Sequence, residues 1–298
     1  MSRNPLQEKY ASLLPPNWTS VIPQWLQEDI PSFDYGGYVV GETPTTAHLF
    51  GKTSGVLAGV PFVNEIFRQL GCTIQWHVNE GERFPGVPRK HIATVTGPAR
   101  KVLLGERTAL NLLARCSGIA TRAREVCELR AKHRFKGVVA ATRKTTPGFR
   151  LVEKYGVTVG GCDTHRQDLS SMVMLKDNHV WSTGSIASAV TAARDVCGFS
   201  LKIEVECRNE FEADEAVQAG ADVIMLDNME PRELKAVLRR KRQEWGSGVL
   251  VEASGGITVD NIADYFCDEL DVISLGWLTQ GVPHVDFSLK IQKDMDKP

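Results

Sequence analysis

The second half of the chain repeats one unit, a short apolar run ending in polar or charged residues and followed by an amphipathic helix. The predicted strands are GVVAATRK (137–144), VTVGG (157–161), MVMLKDN (172–178), LKIEVEC (201–207), ADVIMLDN (221–228), GVLVEASGG (248–256) and DVISLG (271–276). Helices are predicted at SIASAVTAARDV, EFEADEAVQAG and PRELKAVLRRKRQEW. Near-continuous apolar strands alternating with helices specify a parallel sheet covered by helices. About seven such units in roughly 150 residues favour a compact, incomplete α/β barrel of seven strands over an open sheet.

The first part of the chain has a different rhythm. Residues 16–30 read as a surface helix. Strands are predicted at TTAHLF, GVLAGV, CTIQWHV and HIATVTG, with a helix at PFVNEIFRQL, which makes an α+β module. From Ala99 to about Ala131 a long helical period follows (Val102, Leu103, Leu110, Leu113, Ala114). An interruption near Ser117 and Gly118 is expected to lead into the barrel.

Charge narrows the function. Lys and Arg number 35 against 36 acids, a net charge of -1, so the chain as a whole has no electrostatic reason to bind nucleic acid or membrane. No run approaches the roughly 20 apolar residues of a membrane span, and MSRNPLQEKYASLLPPNW has no apolar signal core, so the cytoplasm is the expected compartment. Seven scattered cysteines without a CxxC pair fit reduced thiols better than disulfides or zinc. No GxGxxG or GxxxxGK[ST] occurs, so no Rossmann or P-loop nucleotide site is expected, and no organic cofactor.

In βα folds the site forms at the C-terminal strand ends. Those ends carry Arg143 and Lys144, then Lys176, Asp177 and Asn178, then Glu206, Asp227 and Asn228, Ser254-Gly255-Gly256, and Gly276, while the loop CDTHRQD adds His165 and Arg166. Five cationic groups (Arg143, Lys144, His165, Arg166, Lys176) at one barrel mouth require an anion to offset their repulsion. In Leu201–Glu206, period two places Lys202, Glu204 and Glu206 on one face, turned into the barrel. Lys202 and Glu204 either pair with each other or meet ligand; Glu206, at the tip, is the stronger ligand or metal candidate. Glu206 and Asp227, on adjacent strands, either share a Mg²⁺ carried by a pyrophosphate or stand as a bare pair. Thr146-Pro147 reads as the start of a helix PGFRLVEKY beside the cations, and Ser254-Gly255-Gly256 as a phosphate-binding turn. Arg239–Arg242 reads as a solvated helix face opposite Leu234, Val237 and Leu238. The remaining histidines, including His48, His77 and His91, lack metal-ligand spacing.

The same segments also read as motifs: GERTALNLLARCSGIAT (105–121), ATRKTTPGFRLVEKYGVTVGGCDTHR (141–166), MVMLKDNH (172–179), KIEVEC, IMLDN and ASGGI. Together they resemble the quinolinate phosphoribosyltransferases, the decarboxylating enzymes of NAD synthesis, over nearly the whole chain. The resemblance is closest to eukaryotic, fungal-looking members, with a departure from the bacterial pattern at QEDIPSFDYGG. It implies an N-terminal α/β sandwich domain (1–117, joined by the tail 277–298) and a catalytic barrel (118–276), assembled as a homodimer that can build a hexamer. It implies quinolinate and 5-phosphoribosyl 1-pyrophosphate as substrates, with Mg²⁺ accompanying the pyrophosphate. Quinolinate would be held by Thr142, Arg143, Lys144, His165, Arg166 and Lys176, and by Arg107 from the neighbouring subunit. Glu206 and Asp227 would serve the ribose and Mg²⁺, and Ser254, Gly255, Gly256 and Gly276 the phosphate. Lys144, Lys176, Glu206 and Asp227 would carry the chemistry. A nicotinate phosphoribosyltransferase, a Schiff-base lyase using Lys144 or Lys176, and a non-catalytic barrel that binds phosphorylated metabolites are the rival readings.

Overall fold

The computed structural model describes residues 10–292. The chain divides into two compact units, one formed by the described residues of Met1–Arg124, Leu151–Gly161 and Val282–Pro298, the other by Glu125–Arg150 and Cys162–Gly281.

In the first unit, β1 (Pro44–Gly51), β3 (Thr73–Trp76), β5 (Lys90–Pro98) and β12 (Phe287–Ile291) form an antiparallel sheet in the order β12-β1-β5-β3. Leu49 stands opposite Leu289 across β1 and β12. Leu49, Leu289 and Val95 of β5 meet Val63 and Phe67 of the helix Val60–Gln69 and Leu110 and Leu113 of the helix Ala99–Lys132. The run GVLAGV supplies a strand of only two residues, β2 (Gly55–Val56), paired with β4 (Arg83–Phe84). Its apolar character reflects the burial of Leu57 and Ala58 instead, and Gly59, at φ 109, ends the strand and opens the helix.

The helix Ala99–Lys132 runs unbroken through Ser117 and Gly118, where an interruption was expected. Both residues are there for packing. Ser117 Oγ accepts from Ala58 N and donates to Ala58 O, and a Cβ on Gly118 would lie 2.3 Å from Pro283 O.

VTVGG is not a strand; it completes the helix Arg150–Gly160. Gly156 and Gly160 stand one helical turn apart on one face, and a Cβ on Gly160 would come within 2.4 Å of Ala123 Cβ and 2.6 Å of Ala120 O. The glycines let this helix lie directly against the long one, an arrangement that an apolar β-branched run conceals. Thr146 and Pro147 do not start the helix: Phe149 N donates to Thr146 O in a turn, and the helix begins at Arg150.

The second unit holds a parallel sheet of six strands: β6 (Val138–Ala140), β7 (Val173–Leu175), β8 (Ile203–Cys207), β9 (Val223–Asp227), β10 (Leu250–Ser254) and β11 (Val272–Ser274), in the order β6-β11-β10-β9-β8-β7. The seventh strand expected of the barrel is reduced to one parallel bridge, Asp163 to Ala140. Ile203, Val205, Ile224, Leu226, Val251, Ala253 and Ile273 are fully buried, which is why their strands lack a polar alternation. The helices Ile186–Cys197, Glu210–Gln218 and Pro231–Trp245 follow their strands as expected. On the last, Leu234, Val237 and Leu238 are buried, while Arg240 pairs with Glu210, Lys241 with Asp214 and Arg242 with Asp271. Among the described residues no helix is long and apolar enough to cross a membrane.

Two measurements probe this architecture. Gly160→Ala overpacks the helix contact and is expected to cost about 1–3 kcal/mol in urea unfolding; an unchanged midpoint would refute the close approach. Glu80 is buried at the start of the helix Val60–Gln69, accepting from Gly59 N at 2.8 Å and Val60 N at 3.0 Å. Burial pushes its carboxyl from 4.5 up to about 7, against the pull of those two N–H groups. Between these pH values the unfolded chain loses this proton while the folded chain keeps it, so stability falls as pH rises, by about 3 kcal/mol in all. The stability difference between wild type and Glu80→Gln should therefore shift across pH 4.5–7; a flat difference would show that Glu80 keeps an ordinary carboxyl.

Candidate active site

A cavity of about 440 Å³ opens at the C-terminal ends of the parallel strands. Thr142, Arg143, Lys144, His165, Arg166, Lys176, Glu206, Asp227, Ser254, Gly255 and Gly256 all line it, as do Met174, Met225, Asn228 and Ser274. Of the residues that the family resemblance assigns to substrate, two do not line it, and neither do the strand-end residues Asp177 and Asn178. Gly276 lies beneath the site, where a Cβ would press within 2.9 Å of Lys144 Cδ. Arg107 is exposed on the helix Ala99–Lys132.

Each side chain has a local reason for its place. The segment after β6 is held by Thr279 Oγ1, which donates to Lys144 O at 2.7 Å, and by Lys144 N, which donates to Thr142 Oγ1 at 3.1 Å. Arg143 is half-buried, and its Nε has no hydrogen-bond partner among the described residues. Arg166 reaches back to the sheet, donating from Nη1 to Met172 O at 3.2 Å. Burial, and then the charge of Arg143, lower the pKa of Arg166 from its ordinary value. Two guanidinium groups thus press on each other in a partly desolvated cavity.

The acidic residues form two tiers. At the tips, Glu206 pairs with Lys176, and burial followed by the charge of Glu206 raises the Asp227 carboxyl above the usual range. One step down the strands, Glu204 and Glu252 are buried, 0% and 2% exposed. Burial, and then the charge of Glu252, hold the Glu204 carboxyl well above its usual range. Period two along β8 separates Glu206 from Glu204, and along β10 it separates Ser254 from Glu252. Lys202, predicted to share the face of Glu204, precedes β8 and is exposed. The neighbours of Glu204 are instead Glu252 and His165, whose Nε2 lies 3.8 Å from Glu204 and 3.1 Å from Glu252.

Glu252 was missed in the sequence, although Leu250-Val251-Glu252-Ala253-Ser254 alternates as the segment around Glu204 does. Asn228, visible there only as a strand-tip residue, adopts φ 55 and donates its backbone N–H to Ser254 O at 2.9 Å. That bond brings the β9 tip onto the glycine turn. A Cβ on Gly255, itself at φ 91, would lie 2.3 Å from Asn228 Oδ1, so only glycine fits. Gly255 and Gly256 line the cavity beside Ser254, whose Oγ accepts from Ser274 Oγ at 3.0 Å. Chemically the cavity offers paired guanidinium groups and lysines for carboxylates, a glycine turn for phosphate, and two acidic side chains suited to positive charge.

Known proteins are similar to this chain over most of its length. The family models for the N-terminal and C-terminal domains of quinolinate phosphoribosyl transferase match residues 33–117 and 119–290. A nicotinate-nucleotide pyrophosphorylase [carboxylating] of Dictyostelium discoideum is 52% identical over 92% of this chain and 95% of its own. The Homo sapiens protein of that name is 50% identical over 95% of each. The crystal structure of NadC from Streptococcus pyogenes superposes with a TM-score of 0.83 at 32% identity, covering 98% of this chain and 99% of that one. With both domain models matched end to end, and the cationic and acidic residues gathered at one barrel mouth, the chain belongs to the quinolinate phosphoribosyltransferase family.

Proposed function

We propose that this cavity joins quinolinate to the ribose of 5-phosphoribosyl 1-pyrophosphate and releases CO₂, giving nicotinate mononucleotide and pyrophosphate. The observation that carries this reading is that Arg143, Lys144, Arg166 and Lys176, four cations that repel one another, line a single cavity, with Arg143 Nε buried and unpaired among the described residues. A substrate bearing two carboxylates answers that repulsion. A substrate with one carboxylate, as in nicotinate transfer, leaves half of the grip idle.

Arg143, Lys144, Arg166 and Lys176 hold the carboxylates, with Thr142 and His165 shaping the same wall. The turn Ser254-Gly255-Gly256 receives the phosphate, and Gly276 leaves room for Lys144 beside it. Arg107, exposed on its helix, completes the grip of a neighbouring copy, so the working unit is a homodimer, which in turn can build a hexamer. Glu206 and Asp227 suit a magnesium ion that arrives with the pyrophosphate, because two mutually repelling carboxylates favour a hard divalent cation. Held there, such an ion would supply positive charge to the leaving pyrophosphate.

The bond from ribose C1 to the pyrophosphate oxygen breaks, its electron pair leaving with pyrophosphate, and C1 gains oxocarbenium character that Glu206 and Asp227 face. The pyridine nitrogen supplies the new bond to C1 and becomes cationic. The adjacent carboxylate then departs as CO₂, leaving its electron pair on a ring carbon beside positive nitrogen, where a proton replaces it. Arginine at 143 grips a carboxylate with two parallel donors, which lysine cannot do.

Two outcomes test the reading. Quinolinate labelled at the carboxylate next to nitrogen should release labelled CO₂ only when the pyrophosphate donor is present; release without donor, or transfer without release, would overturn it. Arg143→Lys should lose at least about tenfold in kcat/KM, a loss of about 1.4 kcal/mol in transition-state stabilisation, and an unchanged value would remove Arg143 from the grip.

A further inference from the structure

We infer that Glu252 is a positioning residue for the quinolinate grip: from the barrel floor it fixes the His165 ring, and through that ring the backbone that aims Arg166. The inference rests on the reading of Arg166 as a carboxylate ligand and adds what holds it in place.

His165 sits in the left-handed region at φ 55, a conformation disfavoured for a residue with a Cβ. Three hydrogen bonds hold it there. Its backbone N–H donates to Asp163 Oδ1 at 2.6 Å, its Nδ1 accepts from Arg166 N–H at 2.7 Å, and its Nε2 lies 3.1 Å from Glu252 Oε2. A ring that accepts at Nδ1 has no proton there, so Nε2 carries the proton and donates to Glu252. That is the neutral tautomer, with both nitrogens engaged inside the protein. His165 therefore anchors the loop.

The anchor is as firm as what it is tied to. Glu252 occupies the middle of β10, paired with Met225 of β9 on one side and Val272 of β11 on the other. Its carboxylate is 2% exposed, so water does not compete for the imidazole N–H. Arg166, by contrast, belongs to the loop between the Asp163 bridge and β7. The chain Glu252, His165, Arg166 N–H transfers the rigidity of the central sheet to that loop. Orientation of this kind is what a bidentate guanidinium contact requires.

The test compares Glu252→Met, which removes the acceptor, with Glu252→Gln, which keeps an amide oxygen able to accept from Nε2–H. Glu252→Met should raise the KM for quinolinate about tenfold or more and leave the KM for the pyrophosphate donor within about twofold, and Glu252→Gln should stay within about threefold of wild type. Equal rises in both KM values, a normal quinolinate KM in Glu252→Met, or a Gln variant no better than Met would overturn the inference. ¹⁵N-histidine NMR of the wild-type protein adds a check that needs no folded variant at position 252. The His165 signal, assigned by its loss in His165→Gln, should report a neutral ring protonated at Nε2 with and without quinolinate, and an imidazolium in the bound state would overturn the inference. Arg166→Lys separates the two layers. If its quinolinate KM is normal, the reading of Arg166 as ligand fails and this inference falls with it; if Arg166→Lys is impaired while Glu252→Met is normal, the positioning role alone falls.

Discussion

Two guanidinium groups confined in one partly desolvated cavity repel each other, and the barrel of this protein is arranged around that repulsion. Burial, and then the charge of Arg143, lower the pKa of Arg166 from its ordinary value. The segments that carry them are held by Thr279 Oγ1, which donates to Lys144 O, and by Arg166 Nη1, which donates to Met172 O. The compensation is layered along the strands, with Glu206 and Asp227 at the tips and Glu204 and Glu252 one step below. A parallel sheet supplies this geometry directly, because side chains two residues apart on one strand stand in successive tiers. Cationic and acidic side chains thus occupy separate positions around one cavity, an arrangement that suits a substrate in which negative and developing positive charge are likewise separated.

The first unit is built by close packing of small residues. Gly156 and Gly160 bring the helix Arg150–Gly160 against the backbone of the helix Ala99–Lys132, with Arg124 Nε donating to Gly160 O at 3.1 Å. Ser117 and Gly118, in the middle of the long helix, are spent on contacts with Ala58 and Pro283. Residue types that punctuate a chain in isolation here mark points where two backbones approach.

That difference explains how far the sequence could be read. The parallel strands were legible because burial on both faces makes them apolar throughout, and the site was legible because charged residues follow directly on such runs. VTVGG carries the same composition as a strand and is nonetheless helical, since its glycines answer to a neighbouring helix that no local pattern reveals. GVLAGV likewise took its apolar character from burial, with Gly59 turning the chain after two strand residues. The cavity residues emerged almost completely from strand-end position, but Glu252 did not. A lone acid inside an apolar strand gains meaning only when a second strand is known to place Glu204 beside it, and strand order is a property of the whole sheet.

The tautomer of His165 carries this one step further. A histidine between Thr164 and Arg166 in a polar loop reads as a third cation, and by residue type alone nothing opposes that. Left-handed geometry at its own backbone turns the ring so that Nδ1 meets the N–H of Arg166, and the buried Glu252 claims the other nitrogen. On this reading the grip consists of the guanidinium groups of Arg143 and Arg166 and the ammonium groups of Lys144 and Lys176, while His165 spaces the loop between them. If His165 has this role, the affinity of the cavity for a dianion depends on how firmly the ring orients Arg166.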